Sequence, residues 1–358
     1  MNIKSLSKSL RDNTVALITS ETNRLYFTEF SASDGFLIVG KTGAKFITDS
    51  RYIEAALKEA KDCEVELQKT GLSFDEQLKD IIKSFDAKEV LIEASRLSVS
   101  DASYYEEKLS DFILVKSNEL DEIIDKIRKI KAAEEIKKIK RAQEIAEGAF
   151  KKILPLVKVG VMERDIAVAL DYEMRKLGAL GVSFETIVVA GENSSKPHGV
   201  PSDNKIKNGD FVTFDFGAIY EGYHSDTTRT VSVGTPTSEM ANVYDIVLSA
   251  QKAGVKALKP GLPCREADKV CRDIIKDAGY GEFFGHGTGH GVGVEIHEKP
   301  NLSPRTPEDI LLEVGNVVTV EPGIYLPGKF GVRIEDMLQI TEDGAYNFVT
   351  LPKELITL

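Results

Sequence analysis

The sequence predicts a mixed α/β (α+β) chain in two domains, residues 1–125 and 126–358, and three observations carry that reading. Its 358 residues exceed one domain of ordinary size, and a 42% hydrophobic share can fill more than one core. The front third mixes short apolar runs with apolar residues at helical spacing. From Ile187 to Leu358 the texture changes to alternating strands punctuated by Gly and Pro, with all five histidines between His198 and His297.

Taken in order, Val15–Ile18, Phe36–Val39, Lys45–Ile47 and Val90–Ile92 read as strands, and Arg51–Ala60 and Asp75–Ser84 as helices. Residues 35–42, GFLIVGKT, satisfy the spacing of a phosphate-binding loop. Their bulky apolar interior, with no helix following, makes them a hairpin instead. Between Glu119 and Lys140 the chain is dense in charge and lacks Gly and Pro, so a linker or helix junction falls near 120–130. A long helix opens the second domain, with Ile136, Ile139, Ile145, Ala149, Phe150 and Ile153 on its apolar stripe, up to Pro155. Cys264 and Cys271, seven apart on one helix, read as buried structural thiols and not as a zinc pair.

Composition excludes several functions. With 46 Lys and Arg against 57 Asp and Glu, the net charge of −11 disfavours nucleic acid or an anionic membrane surface as a partner. Residues 1–20 lack the apolar segment of a secretion signal, and no stretch reaches the ~20 apolar residues of a membrane span. Three cysteines fit a reducing cytoplasm. No dinucleotide fingerprint, nucleophile elbow or H-E-x-x-H helix is present.

The chemistry concentrates in two hairpins. Phe211–Val233 alternates on both sides of Tyr-Glu-Gly. A turn centred between Tyr220 and Glu221 sets Asp215 opposite Asp226, whereas a turn at Glu221-Gly222 leaves them diagonal, roughly 7–8 Å apart. Further on, a hairpin centred on Gly328 sets Glu321 opposite Glu335. Facing carboxylates repel, so two such pairs point to bound cations. One divalent ion leaves two of the four charges uncompensated and two ions leave none. Oxygen-rich donors with imidazole suit Mn²⁺ and tolerate Co²⁺ or Zn²⁺. Paired ions about 3.5–4 Å apart are common apparatus for activating a hydrolytic water.

The ordered set Asp215, Asp226, His290, Glu321 and Glu335, in the strings FDFGAIYEGYHSDTTRT, FFGHGTGHGVGVEIHE, VEPGIY and GVRIED, resembles the five metal ligands of the pita-bread (M24) metallopeptidases. That family includes methionine aminopeptidase, aminopeptidase P and prolidase. At the front, NRLYFTEFSASDGFLIV and FITDSRYIEAA resemble the creatinase/prolidase amino-terminal domain, which points to the branch that cleaves before proline. The resemblance implies a small creatinase-like α/β domain followed by a pita-bread domain, a curved antiparallel sheet flanked by helices. It also implies two divalent ions per chain, a homodimer, and peptide substrates with proline in second position. Asp215 would bind one ion and His290 the other, with Asp226 and Glu335 bridging and Glu321 serving as ligand, general base and proton shuttle. His198 would contact the scissile amide nitrogen, His297 would stabilise the oxyanion, His286 would wall the proline pocket, and Arg333 would orient carboxylates. His224 receives no role. Three activities compete: an Xaa-Pro aminopeptidase on longer peptides, a prolidase restricted to dipeptides, and a metal-free binding protein. The metal-site strings hold no Lys or Arg besides Arg229 and Arg333, both expected to engage the carboxylates. With no clamp for a dipeptide's carboxylate, the expectation is an aminopeptidase with an open groove.

Overall fold

The computed structural model describes residues 2–69 and 71–358. They form two compact units, Met1–Arg128 and Lys129–Leu358.

The first unit is built on a six-stranded mixed sheet in the order β4-β3-β2-β1-β5-β6. Its strands are β1 (Thr14–Ile18), β2 (Phe36–Gly40), β3 (Gly43–Thr48), β4 (Glu64–Leu67), β5 (Glu89–Ile92) and β6 (Ile113–Val115). Every residue of β1 and β2 is buried, as expected of strands covered on both faces. The GFLIVGKT segment is the expected hairpin, with Gly40 paired to Gly43 across Lys41-Thr42. Helices α1 (Asn2–Ser9), α2 (Glu21–Thr28), α3 (Ile53–Glu59), α4 (Phe74–Ser84), α5 (Val99–Lys108) and α6 (Glu119–Arg128) complete the unit. A reciprocal capping box, Ser73 with Glu76, starts α4, which buries Leu78, Ile81 and Ile82 among the sheet's apolar residues. Residues 119–128, expected as a junction, are helical. The chain leaves the helix only at Lys129–Ala132.

In the second unit, α7 (Ala133–Ile153) is the long amphipathic helix the spacing predicts, and α8 (Glu163–Lys176) packs against it. Strands β7 (Gly181–Val182), β8 (Ile187–Ala190), β9 (Phe211–Phe216), β10 (Ala218–Tyr220), β11 (Tyr223–His224) and β12 (Thr227–Ser232) follow. They form two three-stranded antiparallel sheets, β11-β10-β7 and β12-β9-β8. Phe150 of α7 stacks on Phe216, ring centroids 5.1 Å apart, which seats the helix on β9. Then come α9 (Ser238–Ala257), α10 (Cys264–Asp277), β13 (Gly289–Gly291), β14 (Glu298–Leu302), β15 (Val317–Val320), β16 (Gly323–Leu326), β17 (Phe330–Arg333), β18 (Asp336–Thr341) and β19 (Gly344–Asn347). The order β14-β13-β15-β18-β19 makes a five-stranded antiparallel sheet, and β16 pairs with β17. Val243, Val247 and Ala250 of α9 and Cys271 of α10 share a core with Val318, Val320 and Leu338. Both Cys264 and Cys271 are buried, as expected. At the α9–α10 contact a Cβ on Gly254 would collide with Cys271 Sγ and lie 3.0 Å from Val320. No helix among the described residues is long and apolar enough to cross a membrane.

The first carboxylate hairpin turns one position later than the arrangement that opposes the aspartates. Tyr220 pairs with Tyr223 across Glu221-Gly222, so Asp215 pairs with Thr228, and Asp226 is its diagonal neighbour. The reason is local: Glu221 (φ 47°) and Gly222 (φ 81°) both have positive φ, the signature of a type I′ turn whose second residue glycine suits best. Asn tolerates this region better than Glu. Glu221→Asn should therefore stabilise by up to about 1 kcal/mol and Gly222→Ala destabilise by about 1–2 kcal/mol in urea denaturation. Equal midpoints for the two variants would refute this turn.

Candidate active site

Three of the four carboxylates sit where a ladder stops. Asp226 lies between β11 and β12, Glu321 between β15 and β16, and Glu335 between β17 and β18. Val320 pairs with Asp336 and Gly323 with Arg333, so Glu321 and Glu335 face each other in the gap, in the register centred on Gly328. Their amides find partners outside the hairpin: Glu321 N–H donates to Thr288 O (2.7 Å), just before β13, and Glu335 N–H to Thr228 O (3.1 Å) on β12. Breaking the ladders satisfies the backbone while side chains from separate sheets converge. With Asp215 from β9 and His290 from β13 they line one cavity of about 540 Å³.

Ligand atoms of Asp226, His290 and Glu335 lie within 4.8 Å of one another. His290 Nδ1–H donates to Gly291 O (3.0 Å), which leaves Nε2 as the lone-pair nitrogen, 3.5 Å from Asp226 Oδ2 and 3.6 Å from Glu321 Oε1. Thr228 Oγ1–H donates to Glu335 Oε2 (2.7 Å). Arg333 donates to Asp215 Oδ2 (2.6 Å), Thr228 Oγ1 (3.0 Å), the Tyr325 hydroxyl (2.9 Å) and Pro197 O (3.1 Å). The other oxygens, Asp215 Oδ1 and Asp226 Oδ1, are buried with no hydrogen-bond donor among the described residues.

Burial, then mutual repulsion, raises Asp226 and Glu335 well above the ordinary carboxylate range, and burial pushes Glu321 up to about 8. Burial holds His290 down, to about 4, so it is a neutral imidazole at pH 7. Orphaned carboxylate oxygens, a crowded negative cluster and one neutral nitrogen are what divalent cations require, so these residues fit such ions. Asp215 and Glu321 line the same cavity but stand outside the tight trio.

The other predicted residues divide. His198, His286 and His297 line the cavity, and the His297 ring meets His290 edge-on at 4.4 Å. His286 has both nitrogens engaged, Nδ1–H with Gly287 O (2.8 Å) and Nε2 with the Tyr325 hydroxyl (2.9 Å), which suits a wall more than a proton carrier. Main-chain N–H of His224 donates to Gly293 O, and His224 is not among the cavity's lining residues. Arg229 corrects the sequence expectation. Its side chain pairs with Asp336 (2.8 Å) and reaches Glu335 only through the main-chain oxygen, because β12 presents it to the far side of the carboxylates. Tyr325, which links Arg333 to His286, escaped sequence reasoning, its only signal being a tyrosine hydroxyl within the apolar run GIYL.

Raised carboxylates bind protons more tightly in the folded than in the unfolded chain. The carboxylates of ion-free protein should therefore contribute most stability below pH about 4.5 and lose it as pH rises toward 8. His286 and His290, held down to about 4, contribute in the opposite sense below pH about 6.5. Between pH about 6.5 and 8, where those histidines are neutral in both states, denaturation in chelator should show the carboxylates' slope, flattened in Glu321→Gln and reduced by added Mn²⁺. A slope unchanged by both would contradict the clustering.

The chain matches metallopeptidase family M24 over residues 137–342 and the creatinase/prolidase N-terminal domain over residues 3–130. It is 38% identical over 358 residues to an Xaa-Pro dipeptidase of Pyrococcus furiosus, covering 99% of each chain. Among solved structures, an Xaa-Pro dipeptidase from Bacillus anthracis superposes with a TM-score of 0.94 at 43% identity, covering 100% of this chain and 99% of that one. An X-Pro aminopeptidase from Thermotoga maritima MSB8 superposes with a TM-score of 0.90 at 39% identity, covering 99% of this chain and 100% of that one. With both domains matched and the relatives aligned end to end, the chain belongs to metallopeptidase family M24, in its creatinase/prolidase-type two-domain form.

Proposed function

We propose that the chain is an Xaa-Pro dipeptidase, a hydrolase that holds two divalent ions, preferentially Mn²⁺, on Asp215, Asp226, His290, Glu321 and Glu335. The observation that carries the chemistry is the buried carboxylate cluster with its orphaned oxygens around the neutral Nε2 of His290. The dipeptide preference rests on full-length similarity to relatives of that name. It replaces the sequence-based preference for longer peptides. One observation favours that second reading, an aminopeptidase acting on longer chains. Arg333 is the only Lys or Arg among the residues lining the cavity, and it is already committed to Asp215.

When bound, the ions supply Lewis-acid polarisation of the scissile carbonyl and acidification of water. The chain's own residues do the rest. Glu321, raised to about 8 in the ion-free chain, would be a carboxylate beside bound cations. As that base it takes the proton of the attacking water and passes it to the departing proline nitrogen, which has no N–H of its own in the peptide. His198 faces that nitrogen, His297 donates to the oxyanion, and His286, held by Tyr325, walls the proline ring. Arg333 keeps one oxygen of Asp215 occupied and so aims the other at the site. Three unpaired cysteines support a reducing, cytoplasmic setting, and the family resemblance supports a homodimer.

Chelation should abolish activity and Mn²⁺ restore it, with two ions per chain by elemental analysis. Full activity without metal would overturn the proposal. Glu321→Gln should lower kcat at least ~10²-fold, and His297→Ala by roughly 10²–10³-fold. His224→Ala should be mild, and equal damage from His224→Ala and His297→Ala would contradict the division of the histidines. Substrate length is settled by comparing an Xaa-Pro dipeptide with an Xaa-Pro-Yaa tripeptide. Cleavage of the dipeptide alone supports the dipeptidase, and cleavage of both the aminopeptidase.

A further inference from the structure

Among the described residues no hydrogen bond holds the His198 ring, although it is exposed on the cavity wall. Its position therefore depends on the backbone of its loop, residues 191–204. That loop is tied at both ends by one side chain. Glu163, the first residue of α8, is fully buried and does not line the cavity. Its Oε1 accepts from Ala190 N–H (2.7 Å) and Asn204 Nδ2 (2.9 Å). Its Oε2 accepts from Asn193 Nδ2 (2.9 Å), Ser202 N–H (3.1 Å) and Ser202 Oγ (2.8 Å). Ala190 and Asn193 lie before His198, and Ser202 and Asn204 after it. One carboxylate thus draws the loop's two stems together and leaves Pro197–Pro201 as a short arch over the cavity. Charge-assisted bonds at a helix N-terminus are strong ones, and five on one buried group make a stiff support. A second attachment holds the crown of the loop: Gly331 N–H donates to Ser194 Oγ (2.9 Å), and Arg333 to Pro197 O (3.1 Å).

We infer that Glu163 is a positioning residue that acts on the reaction through His198. The inference rests on the peptidase reading, to which it adds a distant residue that contributes to rate without touching substrate or ions. Misplacing a reacting group by about 1 Å can cost about 10²-fold in rate. Glutamine at position 163 presents an amide, itself a donor, to donors now satisfied by a carboxylate oxygen.

Glu163→Gln should lower kcat about 10- to 100-fold, with metal content and metal affinity unchanged because none of the five ligands lies on this loop. In a double-mutant cycle, adding Glu163→Gln to His198→Ala should cost little further activity. A full additional loss in that background would overturn the proposal. Independently of activity, spectra of the ¹³Cε1-histidine-labelled protein should show the His198 resonance shifted or broadened in Glu163→Gln while His290 is unmoved. An unchanged His198 resonance overturns the proposal even if the protein proves to cleave no Xaa-Pro peptide. That last outcome in the unmutated protein would count against the peptidase reading alone. If Glu163→Gln does not fold, Asn204→Ala, which removes one arm of the tie, should move the same resonance in the same selective way.

Discussion

Four carboxylates gathered around one cavity is the condition around which the second unit is arranged. Two like charges 4 Å apart repel by about 4 kcal/mol at an effective dielectric of 20, and Asp226 and Glu335 are almost fully buried. Much of what surrounds them moderates that repulsion without abolishing it. Arg333 takes one oxygen of Asp215, Thr228 donates to Glu335, and His290 keeps its proton on the side away from the cluster. What remains unbalanced is negative and orphaned, which gives the site its appetite for cations. Even the sheet topology follows. An uninterrupted ladder alternates its side chains between faces, whereas breaks beside Asp226, Glu321 and Glu335 let strands from different sheets aim at one point.

The same economy governs the histidines. Each of the three loops that bring a histidine to the cavity is tied from behind by a buried carboxylate. Glu163 holds the His198 loop. Asp268 of α10 pairs with Arg272, which donates to the main-chain oxygens of Phe284 and His286, while Asp268 itself accepts from Thr288 N–H (2.9 Å). Glu298, paired with Lys131 at 3.1 Å, accepts from Glu295 N–H and so closes the turn that presents His297. Removing one partner from such a pair strands a charge, which costs more than the pair contributes. The main chain of each loop is thus fastened to a side chain that is itself buried.

Much of this was legible in the sequence, in proportion to how local the signal was. Strands β1, β2, β3 and β5 of the first unit and helix α7 are written in local apolar patterning, whereas the short strands β4 and β6, partly exposed, gave no such signal. The hairpin bearing Glu321 and Glu335 was readable because period two and a central Gly328 determine a register. The hairpin bearing Asp215 and Asp226 had two admissible turns one residue apart, and the choice fell to the backbone of Glu221 and Gly222. Arg229 was misread because its partner, Asp336, is on a strand more than a hundred residues away. Glu163 left no trace for the same reason, since its partners between Ala190 and Asn204 reach it only in three dimensions, and Tyr325 left only a hydroxyl in an apolar run. Substrate length was the hardest question, since the one Lys or Arg in the lining of this cavity, Arg333, is already paired with Asp215.

The close approach at Gly254 has a consequence for anyone who would engineer this protein. Glycine inside a helix concedes about 1 kcal/mol relative to alanine, and replacing such residues is a standard route to heat-resistant variants. Here the missing methyl is the space into which Cys271 and Val320 pack, and Val320 is the residue before Glu321. A bulkier residue would wedge α9 from α10 and tilt the end of β15, so sturdier helices would come at the expense of turnover. Consensus or propensity-guided design should leave this contact alone and seek thermal tolerance on the outer faces of the helices.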